Sequence, residues 1–420
     1  MFITSKIQLS IQKARNNLAQ LLSKFANLIA RKLVFGHLNF IQYLALNSDR
    51  SFKKRQLFLQ SLIGGKHTVF FVFRDLHLID WFLPIHKALR DNYSKEIDVL
   101  YINFGSTLKK AGPGFEHLPY LNAIEKRISV IPDAIYQHFS DQEINLFKTF
   151  PVPDLIITSE TIRQENFSAR ERVYLPHYSV PKANDTLPGK IKYNHVFLPA
   201  KTEFSYKSLL HPENQPIKLH EVGYPKLHPV EQKSIRLFNN SNPVVIFAPS
   251  LSIQLIEGYL KKGILDVFKK LRDINVIIKL HPTLSSKMHT LNRYLEKVLA
   301  HSSSIIIDTK TSIQELGEYS ALLITDFGSI GAEYRLGFGK RVIYLKIPVA
   351  FEGGGDLLFR DQFADEIVDI EDLNEAILNT LQKESLEESE INHMRDRVLF
   401  NWRNADQVAA DQIHRILQRP

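Results

Sequence analysis

The sequence predicts an α/β protein: two Rossmann-like, doubly wound domains facing a cleft, preceded by a basic amphipathic helical arm. Three observations predict it. From residue 68 onward, short apolar runs alternate with amphipathic segments, the pattern of parallel sheets covered by helices on both faces. The 420 residues are too many for one ordinary core and suit two cores of roughly 150–200 residues. A polar, turn-rich stretch, Asn239-Asn240-Ser241-Asn242-Pro243, separates the two runs and suits a hinge. The expected organisation is an arm over 1–60, a first Rossmann-like domain over 61–229, a hinge over 230–242 and a second Rossmann-like domain over 243–420.

In the first half, Thr68–Phe73 is apolar almost throughout and reads as a strand buried on both faces. Ile79–Leu89 carries helical periodicity, and Ile97–Phe104 is the next strand. Arg127–Ile131, Leu155–Thr158, Arg172–Leu175, His195–Pro199 and Leu219–Val222 read as further short strands. In the second half the predicted strands are Val244–Ala248, Val276–Leu280, Ser304–Ile307, Leu322–Thr325 and Val342–Leu345. Helices are expected over Gly258–Arg272, Met288–Ala300, Ile313–Ser320, Ile330–Leu336 and Glu371–Gln382, and over most of Glu388–Leu417.

The composition, 44% apolar and 23% charged, is globular and excludes a mainly disordered, collagen-like or coiled-coil chain. With no Cys, disulfides, thiolate metal sites and Cys nucleophiles are excluded, and the count fits a reducing compartment. Net charge is +8, placed unevenly. Residues 1–60 hold ten Lys and Arg against the single acid Asp49, while the other 360 residues are nearly neutral.

Within the arm, Ile7, Ile11, Ala14, Leu18, Leu21, Leu22, Phe25, Leu28 and Ile29 recur at helical spacing, with most of the Lys and Arg off that stripe. Such a helix can lie in an anionic membrane surface, each basic residue contributing roughly 1 kcal/mol. The plainer reading is a helix packed on its own domain with a solvated basic face. Nucleic-acid binding is not expected, because aromatic interleaving and a known motif are both lacking. No transmembrane helix is expected: the best stretch, Leu33 to Leu46, is broken by His37, Asn39 and Gln42. Charges at Lys6, Lys13 and Arg15 argue against a secretory signal, so the expected location is cytoplasmic.

In open parallel sheets ligands bind beyond the carboxyl ends of the strands. Four such places carry more than generic loop chemistry. After Leu322–Thr325 come Asp326, Gly328 and Ser329, then a helix containing Glu333 one turn in. That helix's free N–H groups suit a phosphate, Ser329 adds a hydroxyl, and Glu333 can accept from a ribose; a plain helix cap gives the same pattern. After Val276, Lys279 and His281 stand at a strand tip and suit a diphosphate. His177 follows a short strand in Val173-Tyr-Leu-Pro-His-Tyr-Ser-Val-Pro-Lys182 and can serve as a general base; a structural loop His is the alternative. Glu221-Val-Gly-Tyr-Pro-Lys226 makes a tight turn ahead of the hinge. Neither a dedicated metal cage nor a HExxH, Walker A, GxSxG or GxGxxG pattern is present, and no cofactor is expected.

Taken in order and spacing, His177-Tyr-Ser-Val-Pro-Lys182, Gly223-Tyr-Pro-Lys226, Phe247-Ala-Pro-Ser250, Lys279-Leu-His-Pro282 and Thr325-Asp-Phe-Gly-Ser329 with Glu333 resemble the CDP-glycerol glycerophosphotransferase family, teichoic-acid polymerases and primases of GT-B fold. The resemblance covers about residues 170–350, and Phe400-Asn-Trp-Arg-Asn404 is similar to the family's last helix. Departures are Tyr178-Ser179 and Val180-Pro181 in the first segment, Lys226 and His228 in the second, and Gly328 in the last. The resemblance implies a first domain for the acceptor and a second for a CDP-linked donor held by Lys279, His281, Asp326, Gly328, Ser329 and Glu333. His177 would take the acceptor's proton, with Ser179, Lys182 and Lys226 in the acceptor cleft. The acceptor would be lipid- or glycan-linked, and the arm would hold the enzyme at the inner face of the cell membrane. Two alternatives stay open: a GT-B glycosyltransferase using a UDP- or GDP-sugar, and a non-catalytic membrane-surface protein that retains the fold.

Overall fold

The computed structural model describes residues 66–73, 78–104, 128–131, 134–139, 152–159, 168–176, 193–201, 217–227, 237–250, 252–281, 289–308, 311–348 and 357–419. The chain divides after Gly64 into two units, and all described residues belong to the second. The arm over 1–60 lies outside them.

The first sheet is seven-stranded and wholly parallel, in the order β3-β2-β1-β4-β5-β6-β7. Its strands are β1 (His67–Phe73), β2 (Ile97–Phe104), β3 (Ile135–Phe139), β4 (Leu155–Thr158), β5 (Glu171–Tyr174), β6 (His195–Leu198) and β7 (Lys218–Glu221). Helix α1 (Ile79–Tyr93) crosses from β1 to β2 and buries Trp81, Phe82 and Ile85. Phe82 stacks on Phe71 of β1 with ring centroids 4.7 Å apart. The second sheet is six-stranded and parallel, in the order β10-β9-β8-β11-β12-β13. It contains β8 (Val244–Phe247), β9 (Asn275–Ile278), β10 (Ile305–Ile307), β11 (Leu322–Thr325), β12 (Arg341–Leu345) and β13 (Glu366–Val368). Its helices are α2 (Ile253–Lys261), α3 (Ile264–Lys270), α4 (His289–Leu299), α5 (Ile313–Tyr319), α6 (Ile330–Phe338), α7 (Leu357–Phe363) and α8 (Leu373–Gln382).

Alternate residues of β8 enter opposite cores: Val245 and Phe247 one, Val244 and Ile246 the other. Both faces are therefore covered, which is why the strands read as unbroken apolar runs.

Three expectations need correction. Residues 128–131 form a turn closed by Ile131 N–H to Ile128 C=O, not a strand; the edge strand is β3. Its Gln137 and His138 masked it, since an edge position need not be apolar. The helix expected over 258–272 is two helices, α2 and α3, parted at Lys262-Gly263. The second domain does not run unbroken to 420. After α9 (Glu388–Val398), the chain crosses back, and α10 (Ala405–Leu417) sets Ala409, Ala410, Ile413 and Ile416 in the core of the first sheet. An amphipathic pattern shows that a helix has an apolar face, not which sheet will cover it. Also unforeseen were α7 and the three-residue β13.

Candidate functional site

The second sheet reverses its winding between β8 and β11, and the chain beyond their carboxyl ends forms the switch-point crevice. Ala248 N–H donates to Ile324 C=O at 2.9 Å, and Thr325 Oγ1 donates to Ala248 C=O at 2.8 Å. One step on, the fully buried Asp326 accepts from Ser250 N–H at 2.8 Å, Ser250 Oγ at 3.0 Å, Tyr259 Oη at 3.1 Å and Phe327 N–H at 2.6 Å. Burial raises its pKa above the usual carboxylate value, against the pull of these hydrogen bonds. Burial and the facing Asp326 charge also hold the Tyr259 hydroxyl well above its usual pKa. Asp326, expected at the donor, is thus turned into the protein, where it braces the two loops of the crevice.

Beyond that brace the chain reaches the crevice. Gly328 has φ +108, and a side chain there would project into open space. An L-residue pays strain at this φ, so Gly lets the turn form and leaves its outer side clear. Ser329 stands at the N-cap of α6 but does not cap it; its hydroxyl donates to Glu333 Oε1 at 2.8 Å. The other carboxylate oxygen of Glu333 accepts from Lys226 Nζ, also at 2.8 Å.

Lys226 comes from the first domain. It lies in a short 3-10 turn, Pro225–Leu227, that follows β7. Gly223 starts this turn at φ +101, and a Cβ there would lie 2.3 Å from Phe400 C=O. Only Gly fits where the turn meets the returning C-terminal segment. The Lys226–Glu333 side chains are 8% and 7% exposed, so a buried ion pair joins the two domains. Tyr224 beside it packs edge-on against Trp81 with centroids 4.3 Å apart. Burial first, then the Glu333 charge, hold its hydroxyl well above the usual tyrosine pKa.

A small cavity of about 40 Å³ lies between this turn and helices α5 and α6, lined among others by Tyr224, Lys226, Leu227, Gln314, Glu333 and Gly337. That is room for water-sized groups. Gln314 Oε1 is buried, with no hydrogen-bond partner among the described residues.

Lys279 leaves the end of β9 with its N–H on Phe247 C=O at 2.8 Å, and its ammonium lies 3.6 Å from Asp308 Oδ1. Both side chains are 10% exposed, so this cation faces the loop after β10. His281, two residues on, is half-buried. The structure thus joins Ser329, Glu333 and Lys226 through direct contacts, puts Gly328 in their turn, and sets Lys279 and His281 beyond the neighbouring strand β9. His177, Ser179 and Lys182 lie outside the described residues, although β5, which leads to them, forms at Glu171–Tyr174. Among the described residues no group of His, Asp and Glu could hold a metal ion. Sequence reasoning overlooked Tyr259 and Gln314 altogether; Ser250 was visible as the end of Phe247-Ala-Pro-Ser250 but not as the partner of Asp326.

No family model and no curated protein matches the chain. Solved structures do. A UDP-N-acetylglucosamine 2-epimerase of Methanocaldococcus jannaschii, solved with UDP-GlcNAc and UDP, is 14% identical with a TM-score of 0.52, covering 83% of this chain and 99% of its own. The S. aureus protein MnaA, solved with UDP, is 11% identical with a TM-score of 0.54, covering 83% and 95%. A Listeria monocytogenes protein provisionally assigned as a UDP-N-acetylglucosamine 2-epimerase is 12% identical with a TM-score of 0.54, covering 84% and 95%. At such identities the likeness shows fold alone. The chain is an α/β protein of two parallel-sheet, Rossmann-like domains, the GT-B architecture of these enzymes.

Proposed function

We propose that the protein is a GT-B transferase that binds a nucleoside-diphosphate-linked donor at the β11–α6 turn and moves its sugar to an acceptor held on the first domain. The observation that carries this reading is the turn itself. An open Gly328, the uncapped amides of α6, and Glu333 one turn along stand at a topological switch point, with Lys226 reaching in from the opposite domain. Helix amides and their dipole suit a phosphate, a carboxylate suits ribose hydroxyls, and a dry cleft strengthens both. Structures of the same fold solved with UDP or UDP-GlcNAc support a UDP-type donor.

A second reading, transfer of an alditol phosphate from a CDP-linked donor, is favoured by the motif order from His177 to Glu333. The two differ in the bond broken. Sugar transfer breaks the bond between the sugar carbon and the diphosphate and releases UDP or GDP. Alditol-phosphate transfer breaks the bond within the diphosphate and releases CMP. In both, His177 is the proposed acceptor base and the basic arm is proposed to bring the enzyme to a lipid-linked acceptor at the membrane. Incubating the protein with UDP-, GDP- and CDP-linked donors and a membrane extract, then identifying the nucleotide released, tests the reading. Release of UDP or GDP supports sugar transfer and CMP supports the second reading. No acceptor-dependent nucleotide release from any donor would leave the non-catalytic alternative standing.

A further inference from the structure

We infer that Gln314 reads the nucleobase of the donor, in the groove between α5 and α6; the inference rests on the proposed nucleotide site. Ser329, Glu333 and Gly337 recur every fourth residue and so share one face of α6, spanning about 12 Å at 1.5 Å per residue. Phosphate at the helix start and ribose at Glu333 leave the base beside Gly337, the order in which an extended nucleotide presents its parts. That is where the cavity lies. Gly337 contributes no side chain, Ile313, Leu227 and Phe338 supply apolar wall, Glu318 joins the Lys226–Glu333 pair on the polar side, and Gln314 supplies a buried carbonyl with no partner among the described residues. Apolar side chains beside a few placed polar groups are how a heteroaromatic ring is selected. A Gln amide both accepts and donates, so it can pair with the edge of a base.

An orphaned buried acceptor costs stability unless something fills its bonding capacity, and among the described residues no side chain does. The cavity of about 40 Å³ is too small for a base while the Tyr224–Leu227 turn rests against the two helices. Base entry therefore displaces that turn, and the Lys226–Glu333 pair is the contact that must yield.

The test is calorimetric titration of the full chain with CDP, UDP and GDP, and with ribose 5-phosphate as a probe lacking a base. Wild type should rank the three nucleotides. Gln314→Leu should weaken the preferred one about tenfold, toward the level of the others, while ribose 5-phosphate binds as before. Unchanged affinities and ranking in Gln314→Leu would overturn the inference and leave the nucleotide site intact. If wild type bound none of the three, the proposed function would fail and this inference with it. Should Gln314→Leu melt far below wild type, Gly337→Leu, which fills the groove from the α6 side, decides instead. It should reject all three nucleotides and keep ribose 5-phosphate; retained nucleotide binding would overturn the inference.

Discussion

Two polar clusters, one in each sheet and each built around a buried residue, His195 or Asp326, differ in place. In the first sheet, His195 Nδ1 lies 2.8 Å from His220 Nε2, and His195 Nε2 lies 3.3 Å from Glu171 Oε2. Glu171 and His195 open β5 and β6, so this cluster sits toward the amino ends of the strands. In the second sheet, Asp326 gathers Ser250, Tyr259 and Phe327 at the carboxyl ends of β8 and β11. Parallel sheets place their ligand crevice at the carboxyl end. A polar cluster therefore bears on folding at one end and shapes the site at the other.

The largest effect is expected of Asp326→Ala. It orphans the buried donors of Ser250, Tyr259 and Phe327 and should cost about 3–5 kcal/mol, with donor affinity falling because the crevice loops lose their brace. Chemical denaturation and nucleotide titration measure both; a stable variant with intact binding would remove Asp326 from the site's support. Lys226→Met comes next, at about 3 kcal/mol, since it leaves the Glu333 carboxylate buried and unpaired. Adding Glu333→Gln should recover part of that loss. If the double variant is no more stable than the single, the two residues are not coupled.

The amino-end cluster should act through pH. Burial first lowers His195 and His220 to about 4; Lys218 and then Arg419 add to it at His195, and His195, then Arg419 and Lys218, at His220. His86, buried against Tyr101 with Arg90 nearby, is also lowered to about 4. The unfolded chain takes up protons near the ordinary histidine pKa of 6.5, which the folded chain refuses until about 4. Stability is thus full above about pH 6.5 and is lost as pH falls from there to about 4. Melting temperature against pH should show this slope, and His195→Gln should flatten it while donor binding at pH 7.5 stays unchanged. A variant as acid-sensitive as wild type would deny the cluster its role.

The smallest expected effect on stability is Gly328→Ala, about 1 kcal/mol from the positive φ, because the new methyl meets nothing. Its larger effect should be on phosphate approach, seen as weaker nucleotide binding in a nearly wild-type fold.

The sequence made the sheets legible because both faces of each are covered: apolar runs such as Ile97–Phe104, Leu155–Thr158 and Leu322–Thr325 match the strands end to end. Edge strands β3 and β13 escaped because they are short and interrupt their apolar residues with Gln137, His138 and Glu366. The return of α10 to the first domain escaped because a helix's partner is a tertiary fact. For the site, Ser329 and Glu333 were visible as a strand–helix turn. Lys226 was visible as a turn residue and, through the family resemblance, as part of the acceptor cleft, but not as the partner of Glu333, because their meeting spans 107 residues and both domains. Asp326 read as a ligand contact because burial direction at a strand end is not written in one sequence. Gln314 had no signal at all, being a single polar residue in a short helix.

Titration of wild type and Glu333→Ala with UDP, GDP and CDP decides whether the β11–α6 turn holds a nucleoside diphosphate. Wild type should bind at least one nucleotide saturably, and Glu333→Ala should lose about tenfold or more in affinity, since a charge-assisted hydrogen bond contributes about 1.5–3 kcal/mol. Equal affinity in the two proteins, or no binding by wild type, would contradict it.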